Sequence, residues 1–79
     1  MDTCELLAAL KAHGVRPGAY SIGTMTQLGE SYTILLGPDG WEVFYNERGN
    51  KTSRQVYPTE DAACRALLQF VLEDPTTRR

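Results

Sequence analysis

Two cysteines, one histidine and ten carboxylates are the side chains with the most chemistry to offer in this sequence. His13 could serve as a general base, but Gly14 follows it directly, a pairing that marks a helix C-terminus. A histidine there complements the negative end of the helix dipole, which is a structural role. A serine nucleophile of the elbow type needs G-x-S-x-G spacing, and none occurs. Metal centres are built on CxxC or HxxxH spacings, which are also missing. Glycine loops that cradle phosphate run from a strand into a helix, whereas these glycines separate strands. The reading is a chain with no catalytic residue, no cofactor and no metal: not an enzyme. Cys4 and Cys64 both fall in stretches rich in alanine and leucine, where a free thiol behaves as a small hydrophobe. Two buried free thiols are expected, with a disulfide between the terminal helices as the alternative.

Binding surfaces draw on other residue types. Tryptophan, tyrosine and arginine dominate interaction hot spots, and Trp41, Tyr45 and Arg48 lie close together in sequence, with Glu47 between the last two. On a strand, Trp41, Val43 and Tyr45 share one face while Glu42, Phe44 and Asn46 share the other. Apolar residues on both faces imply that helices covering one face leave an aromatic surface uncovered. A plainer reading stands beside this one. Tyr45-Asn46-Glu47-Arg48-Gly49 is also what a strand end followed by a polar turn looks like.

The elements that position these residues follow from punctuation and periodicity. Asp2 caps a helix, with Glu5 spaced to reach back, and Leu6, Leu7, Leu10 and Val15 form its apolar stripe. His13-Gly14 ends that helix and Arg16-Pro17-Gly18 turns the chain. Ala19 to Gly23 is a short strand candidate, and Thr24 to Glu30 a loop without periodicity. Tyr32–Leu36 and Trp41–Tyr45, joined by Gly37-Pro38-Asp39-Gly40, read as a β-hairpin. Asn46 to Lys51 is a polar turn, and Thr52 to Tyr57 a polar edge strand ended by Pro58. Thr59 caps a last helix whose stripe is Cys64, Leu67, Leu68, Val71 and Leu72, stopped by Asp74-Pro75. The expected fold is α+β: a helix, a three- to four-stranded antiparallel sheet and a second helix, with both helices on one face. Leu6, Leu7, Leu10, Ile34, Leu35, Val43, Leu67, Leu68 and Val71 are the expected core. Residues 1–75 form a single domain in this reading, and 76–79 a frayed tail.

The whole chain narrows the class of partner. Seventy-nine residues suffice for one domain, and 42% hydrophobic with 23% charged residues is ordinary globular composition. Net charge is −2, but Arg78 and Arg79 supply two of the eight cations, so the body is more acidic still. Such a body repels a phosphate backbone, and nucleic acid is not an expected partner. Helix–strands–helix is also the order of double-stranded RNA-binding domains, which need cations where the last helix begins. This chain has Glu60 and Asp61 there. No window is long and apolar enough to span a membrane, the first residues do not resemble a signal peptide, and two cysteines are few for a secreted scaffold. A cytoplasmic protein is expected.

From Trp41 to Glu73 the sequence resembles short bacterial immunity-type proteins, which neutralise polymorphic or contact-dependent toxins. The resemblance lies in a tryptophan strand, then Glu47-Arg48-Gly49, a short strand with Val56 or Tyr57, and the helix start Thr59-Glu60-Asp61-Ala62-Ala63-Cys64. It implies a non-catalytic surface that covers or locks a toxin, and Glu47 and Arg48 are carried over as contact residues. With Trp41 and Tyr45 they form the expected protein-binding set, and a basic protein is the expected partner. The alternative is a regulatory or structural module that pairs with itself through its edge strand.

Overall fold

The computed structural model describes residues 1–24 and 29–77. Residues 25–28, within the loop expected at Thr24–Glu30, and Arg78 and Arg79 lie outside the described residues. The fold is α+β, with helices α1 (Thr3–Ala12) and α2 (Glu60–Glu73) and strands β1 (Tyr20–Ile22), β2 (Glu30–Gly37), β3 (Gly40–Glu47) and β4 (Asn50–Tyr57).

Both helices begin where their caps predict. The Asp2 carboxylate accepts from Glu5 N at 2.8 Å while Glu5 Oε1 accepts from Asp2 N at 3.0 Å, a complete capping box. Thr59 Oγ1 accepts from Ala62 N at 3.2 Å at the head of α2. Each cap contributes about 1 kcal/mol, enough to fix where a short helix starts.

The four strands form one sheet in the order β1-β2-β3-β4. The expectation of a wholly antiparallel sheet is overturned: β1 runs parallel to β2, pairing Tyr20 with Tyr32 and Ile22 with Ile34. Alternation puts Tyr20 and Ile22 on one face whichever way the strand runs, so residue pattern alone does not set its direction. The remaining pairs are antiparallel. The turn expected over Asn46–Lys51 shrinks to Arg48-Gly49, because β3 and β4 extend to Glu47 and Asn50. Both turn residues have positive φ, 53° and 96°, the mark of a type I′ hairpin. The Glu47-Arg48-Gly49 motif thus has a backbone reason to exist, with arginine at a position that asparagine or glycine would occupy with less strain.

Leu6 and Leu10 of α1, Ala63, Cys64, Leu67 and Val71 of α2, and Ile34 and Val43 of the sheet are buried in one core with Val15 and Ala19. Three residues expected there sit differently. Leu7 and Leu35 are half-buried outside this cluster, and Leu68 packs against it only in part. Leu35 could not join Ile34, since adjacent strand residues face opposite ways. The face it shares holds Thr33, Glu42, Phe44 and Asn46, all buried.

Two further expectations are corrected. Cys64 is buried but Cys4 is exposed, because Leu6 and Leu10 define the inward side of α1; both thiols are free. Burial, then the nearby Glu60 carboxylate, pushes the Cys64 thiol up to about 11. The chain past Pro75 does not fray before Thr77. Pro75–Thr77 form a 3₁₀ turn in which buried Thr77 donates its hydroxyl to Val71 O at 2.8 Å. Arg16 N donates to Thr77 O at 2.7 Å, tying this segment to the turn after α1.

Candidate interaction site

Trp41 and Glu47 stand at opposite ends of β3. They are six positions apart along the strand, roughly 20 Å at the usual rise per residue. Trp41 lies between Leu36 and Tyr57 across the sheet and packs half-buried against the core. Tyr45 and Glu47 lie at the other end, near the Arg48-Gly49 turn. Arg48 is exposed at that turn, its backbone N donating to Gly29 O at 3.0 Å. The four residues singled out from sequence therefore do not form one patch: Tyr45 and Glu47 come together, Arg48 borders them, and Trp41 is remote.

What gathers around Tyr45 and Glu47 is a groove of about 560 Å³ between this end of the sheet and the C-terminal end of α2. Register puts Tyr32 directly across from Tyr45, and their rings sit 4.9 Å apart, tilted by 60°. The helix adds Phe70 and Glu73, and Asp74 and Pro75 follow it. Each tyrosine ring is held by its hydroxyl. Tyr32 Oη donates to Asp74 Oδ2 at 3.0 Å, and Tyr45 Oη donates to Glu30 Oε2 at 3.1 Å. Burial first, then the bond to Asp74, pushes Tyr32 up to about 12; burial and the bond to Glu30 raise Tyr45 likewise. Both phenols thus stay protonated and keep donating at neutral pH. The Asp74 carboxyl is held below the usual range by the Thr76 hydroxyl and backbone N–H, and then by Tyr32.

Glu42, on the same strand, occupies a different setting. Its side chain is only 5% exposed, and one oxygen, Oε1, accepts from Arg54 Nε at 2.7 Å and Lys51 Nζ at 2.9 Å. Those bonds, Arg54 first, hold its carboxyl below the usual glutamate range. Lys51 Nζ also lies 5.0 Å from the centre of the Phe44 ring, so the cations roof this face of the sheet. The other carboxylate oxygen rests against Gly37, where any Cβ would collide with it. A shift in β3–β4 pairing between Val43 and Tyr45, with Ser53 at φ 54°, brings Arg54 and Lys51 to the same acid.

No family model, curated protein or solved structure matches this chain. Its candidate site is defined by geometry alone. Among the described residues no group of three or more His, Cys, Asp or Glu side chains is placed to hold a metal ion. Likewise, no helix among them is long and apolar enough to cross a membrane.

Sequence reasoning missed Tyr32, Phe70, Glu73 and Asp74 as members of the site. Tyr32 and Asp74 are 42 residues apart and bond directly. The signal for Tyr32 is its alternation with Ile34, which puts both on one face of β2. Phe70 and Glu73 are spaced one helical turn apart, so they share a face of α2. Joining the two sets required the register of β2 on β3 and the docking of α2, neither of which local pattern supplies.

Proposed function

We propose that this is a non-catalytic, cytoplasmic immunity-type protein that neutralises a cognate bacterial toxin by covering it with the acidic, aromatic end of its sheet. In this reading both helices pack on the Ile34–Val43 face, and α2 contributes the far wall of the groove. The observation that carries the proposal is the groove itself. It brings two fixed tyrosine rings and Phe70 together with Glu47, Glu73 and Asp74 on a chain of net charge −2. Aromatic anchors ringed by carboxylates that no basic side chain among the described residues pairs with suit a basic protein surface, and opposite charge speeds the encounter. The resemblance over Trp41–Glu73 supplies the kind of partner. Tyr45 and Glu47 are central contacts in this proposal, Arg48 is peripheral, and Trp41 serves packing.

Self-pairing through β4 is the weaker reading. β4 is an edge strand and exposed along nearly its whole length, which invites pairing. It also carries a pairing irregularity and folds Lys51 and Arg54 over Glu42, both devices that blunt an edge.

The test is co-expression of the adjacent gene's product in a sensitive host, with and without this chain. Growth restored only when the chain is present is the expected outcome. A neighbour that is toxic regardless of this chain, or never toxic, overturns the proposal.

A further inference from the structure

Six of the ten acids of this protein form two contrasting groups. Glu42 is neutralised by Lys51 and Arg54, and Asp61 by Arg65 and the N-terminal ammonium. Glu30, Glu47, Glu73 and Asp74 crowd the groove end, and among the described residues none of them is in an ion pair with a basic side chain. Glu47 and Glu73 accept no hydrogen bond there either, while Glu30 and Asp74 accept from the two tyrosine hydroxyls. Glu30 sits directly across from Glu47 in the β2–β3 register, and like charges in that position repel and destabilise the sheet. Among the described residues the cations close by are Arg48, exposed in the turn, and Arg16, whose Nε donates to Thr76 O at 3.1 Å and whose charge helps to lower the Asp74 pKa from beyond ion-pair distance.

A cleft whose carboxylates pair with no cation among the described residues, and which offers π faces, attracts a cation, and its geometry says which kind. The aromatic walls favour a planar, delocalised, weakly hydrated group, and the carboxylates favour one that donates several N–H bonds in a fork. A guanidinium meets both demands, whereas an ammonium is compact and strongly hydrated. We infer that the groove receives an arginine side chain of the partner, stacked on the Tyr32, Tyr45 and Phe70 walls and bonded to Glu47 and Glu73. The hydroxyl bonds to Asp74 and Glu30 fix the rings beforehand, which lowers the entropic cost of the contact. This inference rests on the protein-binding reading above and names the chemistry of the contact.

The full chain is titrated with blocked Gly-Arg-Gly peptide, with its lysine counterpart and with its uncharged citrulline counterpart, and the aromatic ring resonances are followed by NMR. Arginine should shift the Tyr32, Tyr45 and Phe70 signals and bind about tenfold more tightly than citrulline, with lysine between. The double variant Glu47→Gln/Glu73→Gln should fold normally and lose about tenfold in arginine affinity. Citrulline or lysine matching arginine, shifts confined to residues outside the groove, or an unaffected double variant would overturn the inference. A chain lacking Arg78 and Arg79 tests the remaining occupant. If that deletion alone moves the three ring signals and tightens peptide binding, the groove belongs to the chain's own tail and the partner assignment fails. Co-expression separates the two levels. A folded double variant that loses the peptide yet still protects the host sinks the arginine contact and leaves toxin neutralisation standing. A wild-type chain that binds the peptide but does not protect does the reverse.

Discussion

Glu42 and Glu47 lie on the same strand, and their surroundings could hardly differ more. Glu42 is buried under Arg54 and Lys51, its carboxylate seated against Gly37 and its charge fully answered within the fold. Glu47 is exposed, faces Glu30 across the sheet, and has no hydrogen-bond or ion-pair partner among the described residues. Alternation puts them on opposite faces, and the pairing shift in β4 delivers two cations to one of them only. A charge that the fold neutralises holds the sheet together. One that the fold leaves uncompensated is available to something else, at some cost in stability. The same contrast separates the aromatic residues: Trp41 is packed against the core at one end of β3, while Tyr45 and Tyr32 wall a groove at the other.

The largest effect that could break this contrast comes from the core both regions share. Leu67 is fully buried on the helix that carries Phe70 and Glu73 to the groove. Leu67→Ala should cost about 2–5 kcal/mol in denaturant unfolding, a large part of a small domain's stability. A loss under ~1 kcal/mol would mean that α2 is not docked as described. Next in size is Glu42→Gln, which removes the charge but keeps the shape. It should cost about 1–3 kcal/mol, since hydrogen bonds to a charged group are lost or weakened and two cations lose their partner.

That second loss has a pH signature. The folded pKa of Glu42 is lowered, by Arg54 and then Lys51. Its stabilisation is therefore complete above the unfolded value, about 4.3, and fades as pH falls through the folded value. Wild type and Glu42→Gln should differ most near neutrality and converge in acid. A gap that stays constant down to about pH 2 would show that charge is not what Glu42 contributes.

Smaller changes sharpen the other side. Arg48→Asn replaces a side chain strained at φ 53° with one that tolerates it, and should stabilise by up to about 1 kcal/mol. If stability falls instead, Arg48 makes a contact in the folded chain that outweighs its backbone strain. The smallest effect is expected from Glu47→Gln/Glu73→Gln, within about 0.5 kcal/mol of wild type and on the stabilising side, because like charges are removed. A clear destabilisation would mean that these acids are structural, as Glu42 is.

Much of this was legible in the sequence, and the parts that were not have physical causes. Asp2 with Glu5, Thr59, the hairpin around Pro38-Asp39 and the stripe through Leu67 and Val71 are local signals, and each appears as read. The direction of β1 is not local, since its three residues fit either orientation. The exposure of Cys4 is not legible in composition, because an alanine-leucine stretch does not say which side of a helix faces inward; the burial of Leu6 and Leu10 does. Thr77 reads as tail from local pattern because its anchors, Val71 O and Arg16 N, belong to a helix end and to a turn distant in sequence. For the groove, sequence pointed to Tyr45 and Glu47 but joined them to Trp41, which is near in the chain and far along the strand. Tyr32, Phe70 and Asp74 became visible only once register and helix docking were known.

Binding resides, in this proposal, at the acidic end around Glu47 and Glu73 and not at Glu42. This is tested most directly by calorimetric titration of the adjacent gene's product with three chains: wild type, Glu42→Gln and Glu47→Gln/Glu73→Gln. Folded Glu42→Gln should keep its affinity, and the double variant should lose at least about tenfold (~1.4 kcal/mol) despite its undiminished stability. Affinity retained by the double variant but lost on Glu42→Gln would contradict the proposal.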